Sequence, residues 1–194
     1  MQYSDYRIEQ VFGRDRCDIV QFMSSQFYRH FDAQLNDDTQ EVYSVRSIDG
    51  HLLAAFGLNR RVDEFFCRHY VQDVRHTLQG AVSAAIDPKS ILEISHLSVV
   101  EARTVCRLIP SLAAFLAEQA NYVVCTATRT LAKLFIRRGL APHKLGMADQ
   151  NQLPLELRQG WGDYYDHEPM VLGGDVTLAA ECLAEVAAAG QRSA

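Results

Sequence analysis

Residues 91–100 read ILEISHLSVV, an apolar run with three polar side chains set into it. Ile91, Leu92, Ile94, Leu97, Val99 and Val100 have the character of a core strand; Glu93, Ser95 and His96 do not. A carboxylate buried without a partner costs several kcal/mol, so something must meet it. Carboxylates and imidazoles are side chains that move protons in catalysis. On a regular strand Glu93 and Ser95 share one face and His96 takes the other. The bland counterpart is a structural ion pair between Glu93 and Arg60 or Arg129, and a His96 that is merely hydrogen-bonded in a core. A second group lies in CTATRT, residues 125–130. Small residues there leave room for a ligand and offer the hydroxyls of Thr126 and Thr128, or else Thr128 or Thr130 caps the next helix. Cys125 facing His96 across two strands would form a thiolate nucleophile, although buried cysteines usually act as small hydrophobes. A third group is WGDYYDHEP, residues 161–169, which holds the only tryptophan. Tyr164 or Tyr165 can supply a phenolic proton and Trp161 can wall an apolar pocket. Alternatively the aromatics pack an irregular lid, with Asp163 and Asp166 making turns.

The elements that must position these groups are legible from periodicity. Residues 4–12 suggest a strand. Residues 15–35 place Ile19, Phe22, Met23, Phe27, Tyr28 and Phe31 at helical spacing, with Asp15 or Asp18 as cap. NDDTQ is a loop. EVYSVRSI, the turn DG at 49–50 and HLLAAFGLNRR form a hairpin. Two helical pieces follow, around Phe65–Val71 and Asp73–Ile86, before the strand at 91. Residues 103–120 form an apolar helix that Pro110 starts late or kinks. YVVCTAT is a central parallel strand, and RTLAKLFIRRGL a short amphipathic helix stopped by Gly139. Residues 141–168 read as an irregular aromatic lid, 169–175 as a last strand and 176–190 as a C-terminal helix. The order gives an α/β fold with a mixed sheet, in which two parallel strands are joined by a helical crossover.

The 194 residues suffice for a single domain spanning 1–194. A net charge of −5 with no basic block argues against a nucleic-acid binder. The polar start MQYSDYRIEQ lacks the pattern of a secretory signal, and no apolar run reaches membrane-spanning length. Five scattered cysteines without a CxxC favour free thiols and a cytoplasmic protein. The seven histidines show no ligand spacing, so no metal is predicted.

The order of elements resembles the N-acetyltransferase-like acyltransferase fold. LEISHLSVV is similar to the Glu-x-Ser-Arg strand of acyl-homoserine-lactone synthases, with His96 in place of their arginine. The hairpin leading to Gly57–Arg60 looks like theirs as well. EISHLSVV, VVCTATRTLAKLFIRRGLAPHKLGMAD and WGDYYDHEPMVLGGD together resemble the thermostable hemolysin family, over roughly residues 45–178.

The resemblance implies a central parallel strand pair, splayed apart and flanked by helices, with the pantetheine arm of an acyl thioester in the gap. Strand residues Ser95, Leu97 and Val99 would then contact the arm, with Cys125, Thr126 and Thr128 opposite. Glu93 would prepare an acceptor amine, with His96 in the same role or stabilising charge. Tyr164 or Tyr165 would protonate the leaving thiolate, and Trp161 would wall the acyl pocket. The acceptor would be a small-molecule amine, such as an amino acid derivative. The sequence departs from the acetyltransferase pattern after the strand, where VEARTVCRLI lacks the glycines of a coenzyme A pyrophosphate loop. The donor is then coenzyme A bound in another mode, or an acyl carrier protein, whose single phosphate needs a basic surface such as Arg103, Arg107, Arg129, Lys133, Arg137 and Arg138 would offer, unless these only solvate helix faces. Arg60 is placed to meet an anionic ligand or to solvate a strand end. The second reading keeps the fold as a membrane-active or ligand-binding protein without catalysis. No cationic amphipathic helix able to enter a bilayer supports it.

Overall fold

The computed structural model describes residues 2–3, 6–35 and 41–192. Eight strands form one sheet in the order β1-β2-β3-β4-β5-β6-β8-β7. β1 (Gln2–Tyr3), β2 (Tyr6–Gln10), β3 (Glu41–Ser47), β4 (Leu52–Asn59) and β5 (Ile91–Val99) run antiparallel in succession. β6 (Tyr122–Ala127) is parallel to β5, and β8 (Met170–Asp175) lies antiparallel between β6 and β7 (His143–Met147). The helices are α1 (Gly13–Phe31), α2 (Val74–Val82), α3 (Ala102–Ala117), α4 (Arg129–Arg137) and α5 (Val176–Arg192). The parallel pair is joined through α3, the crossover that parallel strands require.

Alternation in the strands splits the core into two layers. Leu92 packs with Phe56 and Leu58 against Leu108, Ile109, Phe115 and Leu116 of α3 and Leu183 of α5. On the other face Ile91, Val124 and Val171 meet Val74 and Leu78 of α2, while Ala55 and Val42 meet Ile19 and Met23 of α1. Glu93, two residues from Ile91, is directed to the α1/α2 face and is 3% exposed.

The hairpin stands where the alternation and the DG turn put it. Several boundaries differ from expectation. α1 begins at Gly13, and its N-cap Phe12 supplies no side-chain oxygen; Asp15 lies in the first turn, where its charge suits the helix terminus. α3 begins at Ala102 with Pro110 inside it. The stretch 141–168 contains an edge strand, β7, that its half-exposed HKLGM sequence conceals. NDDTQ lies outside the described residues. Among the described residues no helix is long and apolar enough to cross a membrane.

Candidate active site

β5 and β6 pair in parallel only from Ile91 opposite Tyr122 to Ile94 opposite Cys125. Both strands continue, β5 to Val99 and β6 to Ala127, but no longer against each other. The sheet therefore splits at Ile94 and Cys125. A cleft of about 150 Å³ passes through the split, walled by Leu97, Leu112 and Phe135 from the α3 face and by Phe27, Phe31 and Phe66 from the α1 face.

A β-bulge shapes the β5 side of the split. Ser95 pairs with Gly57 and Ser98 with Ala55, so Phe56 alone faces both His96 and Leu97. His96 adopts φ 52, the left-handed region that side-chain-bearing residues seldom occupy. The extra residue resets the alternation. Leu97 and Val99 stay with the α3-side core, while His96 joins Ser95 beside Glu93 and meets the Phe27 ring edge-on at 5.7 Å. His96 on the face opposite Glu93, as a regular strand would have it, is thus corrected by the bulge.

Glu93 is met by main chain. Its two oxygens accept the N–H groups of Phe66 at 2.7 Å and Cys67 at 2.8 Å, at the start of a 3₁₀ turn spanning Phe66–His69. Two such donors offset much of the desolvation of a carboxylate. The arginines proposed as its partners are engaged elsewhere. Arg60 binds Glu41 at 2.8 Å and Gln119 at 3.0 Å, and Arg129 binds Glu168 at 2.5 Å. A second cavity of about 610 Å³, with a mixed lining that includes Asp63, Glu64 and Arg68 as well as Phe65, Phe66 and Leu157, reaches Glu93, Ser95 and His96 from the side of Asn59 and Gln72. Glu93 thus stands where an aromatic and aliphatic cleft meets a chamber richer in charged side chains.

The aromatic lid closes the cleft. Trp161 donates its indole N–H to the carbonyl of Leu157 at 2.8 Å and packs on Phe66 and Tyr164 at 5.5 and 5.4 Å. Gly162, at φ 51, passes so close to the end of α1 that a Cβ there would sit 1.9 Å from the carbonyl oxygen of Phe31. Asp163 N–H donates to that same oxygen at 2.8 Å. Tyr164 is buried, its hydroxyl 3.5 Å from the carbonyl of Thr126. Thr126 Oγ1 is buried in the cleft wall and has no hydrogen-bond partner among the described residues.

Glu93, Ser95, His96, Leu97, Cys125, Thr126, Thr128, Trp161 and Tyr164 all line the cleft. Arg60, Val99, Arg103 and Tyr165 line neither chamber. Arg60 is held by Glu41; Val99 is turned into the α3-side core; Arg103 is exposed on the first turn of α3. The Tyr165 hydroxyl lies 2.5 Å from that of Tyr70, which reaches the cleft in its place. Phe27, Phe31, Phe66 and Tyr70 went unread as site residues because their spacing is that of ordinary core positions. The Phe66 and Cys67 amides have no sequence signature at all.

Burial pushes the Cys125 thiol up to about 12, with the nearby Glu93 carboxylate adding to it, so a thiolate nucleophile is disfavoured. Burial also raises Tyr164, helped by Tyr165 and Cys125, and raises Tyr70, helped by its hydrogen bond to Tyr165. These phenols keep their protons at neutral pH and can give them up only to a strong base. Among the described residues no group of three or more His, Cys, Asp or Glu could hold a metal ion.

The family model described as thermostable hemolysin matches residues 10–180. The chain belongs to the thermostable hemolysin family. No curated protein matches this family member in sequence. Solved structures share its fold at low identity. The AHL synthase LasI is 12% identical, with 88% of this chain and 89% of that one covered and a TM-score of 0.55. FeeM, an N-acyl amino acid synthase from uncultured soil microbes, is 7% identical over 88% and 90%, with a TM-score of 0.56. MesI, a CoA-dependent acyl-homoserine lactone synthase, is 16% identical over 93% and 94%, also at 0.56. This member of the family therefore has the N-acetyltransferase-like mixed α/β fold.

Proposed function

We propose that the protein moves an acyl group from a carrier thioester to an amine. The observation that carries this reading is the β5–β6 split at Ile94 and Cys125, with the Glu93 carboxylate at its apex. An extended pantetheine arm supplies the amide groups that the interrupted ladder lacks. The acceptor nitrogen attacks the thioester carbon, a C–N bond forms and the C–S bond breaks. Glu93 takes the ammonium or amine proton, directly or through water, with His96 beside it. Tyr164, which keeps its proton, donates a hydrogen bond to the departing thiolate, and the sulfur takes its proton from solvent. Positioning of the two substrates supplies up to roughly 7–11 kcal/mol of the acceleration.

Acyl carrier protein suits the donor role better than coenzyme A. Glu101 occupies the N-cap of α3, so a pyrophosphate there would meet a carboxylate and no glycine. Exposed Arg103, Arg107, Lys133 and Arg137 stand on α3 and α4, the helices flanking the split, and suit an acidic carrier. We read residues 1–194 as one acyltransferase-like domain. The five unbridged cysteines fit a reducing cytoplasm.

The test is transfer itself. Purified protein is incubated with acyl carrier protein or coenzyme A thioesters and a panel of amines, and N-acyl products are read by mass spectrometry. Product formation that depends on Glu93 supports the reading. Dye release from liposomes in proportion to bound protein, indifferent to Glu93→Gln and without any N-acyl product, replaces it with membrane activity.

A further inference from the structure

The charged side chains of the second chamber are set out in order. Its inner end is the buried Glu93 carboxylate, which favours a cationic or N–H-bearing group. Asp63 and Glu64 also line it, but Arg61 engages both, at 3.4 and 2.6 Å. Arg68 differs. Its guanidinium donates to the main-chain carbonyl of Asp63, and among the described residues no carboxylate pairs with it. That bond anchors one nitrogen of a planar head that has five N–H donors, leaving the rest for a ligand. Beyond Arg68 the surface continues into an open depression of about 560 Å³, where Arg75 and Lys89 are likewise without an acidic partner among the described residues. From inside to outside, the lining passes from the Glu93 carboxylate to the cations Arg68, Arg75 and Lys89, with Asp73 there engaged as the N-cap of α2.

We propose, resting on the acyl-transfer reading, that the acceptor is an amine carrying an anionic group at its far end, and that Arg68 reads that anion. An amino acid is the smallest molecule with this pattern, and an aminoalkyl phosphate has the same chemistry from a different source. The ammonium end approaches Glu93 and the anion meets the free face of Arg68. A diamine would bring a second cation against Arg68, and a neutral amine would leave the guanidinium unmatched. His69 also faces this chamber, but burial, reinforced by Arg68, lowers its basicity, so it adds no competing charge at neutral pH.

The experiment compares free L-amino acids, their amides, phosphoethanolamine and 1,4-diaminobutane as acceptors, with wild type and Arg68→Gln. Arg68 is exposed, so the substitution leaves the core intact. Amino acids or the phosphate should exceed the amides and the diamine by about 10- to 100-fold in kcat/KM, and Arg68→Gln should erase that preference mainly through KM. Preference for the carboxylates or for the phosphate identifies the source. Equal use of acids and amides, or a preference that survives Arg68→Gln, overturns the proposal. Saturation-transfer NMR of the same ligands reads binding without turnover. Anion-dependent, Arg68-dependent binding with no transfer from any thioester keeps the anion site and removes the acyl-transfer reading; absence of such binding removes the anion site.

Discussion

Glu93 Oε1 accepts the main-chain N–H of Cys67 at 2.8 Å, while its other oxygen takes the neighbouring amide of Phe66. The carboxylate is thus clamped by the turn that follows the hairpin, and its protonation chemistry and its structural duty are inseparable. Glu93→Gln keeps one acceptor oxygen and turns an NH₂ toward the second amide. The variant should lose about 1–3 kcal/mol of stability for the unmet donor and roughly 10²- to 10⁴-fold in acyl transfer. Urea titration and turnover on one preparation separate the two losses. Full turnover in a folded Glu93→Gln protein would remove the base from the mechanism.

The bulge makes a different demand at position 96. His96 at φ 52 is in backbone territory that asparagine tolerates and valine does not. His96→Asn should cost less than about 1 kcal/mol, whereas His96→Val should cost about 2–3 kcal/mol through a strained or rebuilt bulge. Denaturant midpoints decide. Equal stabilities would mean that the left-handed conformation is not what holds the residue beside Glu93.

Gly162 ties the aromatic lid to the end of α1. A methyl group there collides with the Phe31 carbonyl, so Gly162→Ala should cost about 3 kcal/mol or more and shift the fluorescence of Trp161. Gly50, also at positive φ but with nothing within 4 Å of a Cβ, is the control. Gly50→Ala should cost only about 1 kcal/mol. Similar losses at the two glycines would contradict the close approach of lid and helix.

The Cys125 thiol in the cleft wall gives the protein an alkaline weakness. Below pH 9 Cys125 is neutral folded and unfolded and contributes nothing. Between about 9 and 12 the unfolded chain ionises there while the folded chain does not, so stability falls as pH rises and levels off above 12. The raised phenols of Tyr70 and Tyr164 add a decline of the same sign from pH 10 upward. The Cys67 thiol, raised by burial and by Glu93, adds a decline of the same sign, so Cys125→Ala should lessen the fall of stability with pH, chiefly between pH 9 and 10, without removing it. An unchanged slope there would mean that the thiol is solvated.

Much of the fold was readable because alternation and turn residues are local. The hairpin over β3 and β4 carries its DG turn in plain view, and the β-branched run of β6 declares a buried strand. β7 was hidden because HKLGM lies at the sheet edge, half-exposed, with only one face to satisfy. The polar triplet at 93–96 announced a site, since a core strand has no reason to carry it. Its layout was not legible, because the strand period places His96 opposite Glu93 and only the pairing of Ser95 with Gly57 and of Ser98 with Ala55 reveals the extra residue. Sequence offered arginines as partners for Glu93. The fold used two main-chain amides, which every non-proline residue carries and none advertises.

The two chambers meet at Phe66, Glu93, Ser95 and His96 and are otherwise lined by different residues, one by the walls of the split sheet and one by the turn that bears Arg68. Neither occupant need leave for the other to arrive. Initial-rate plots at several fixed concentrations of one substrate should therefore intersect and not run parallel, as expected for a ternary complex without a covalent acyl-enzyme, and variation in one chamber can retune one substrate with little effect on the other.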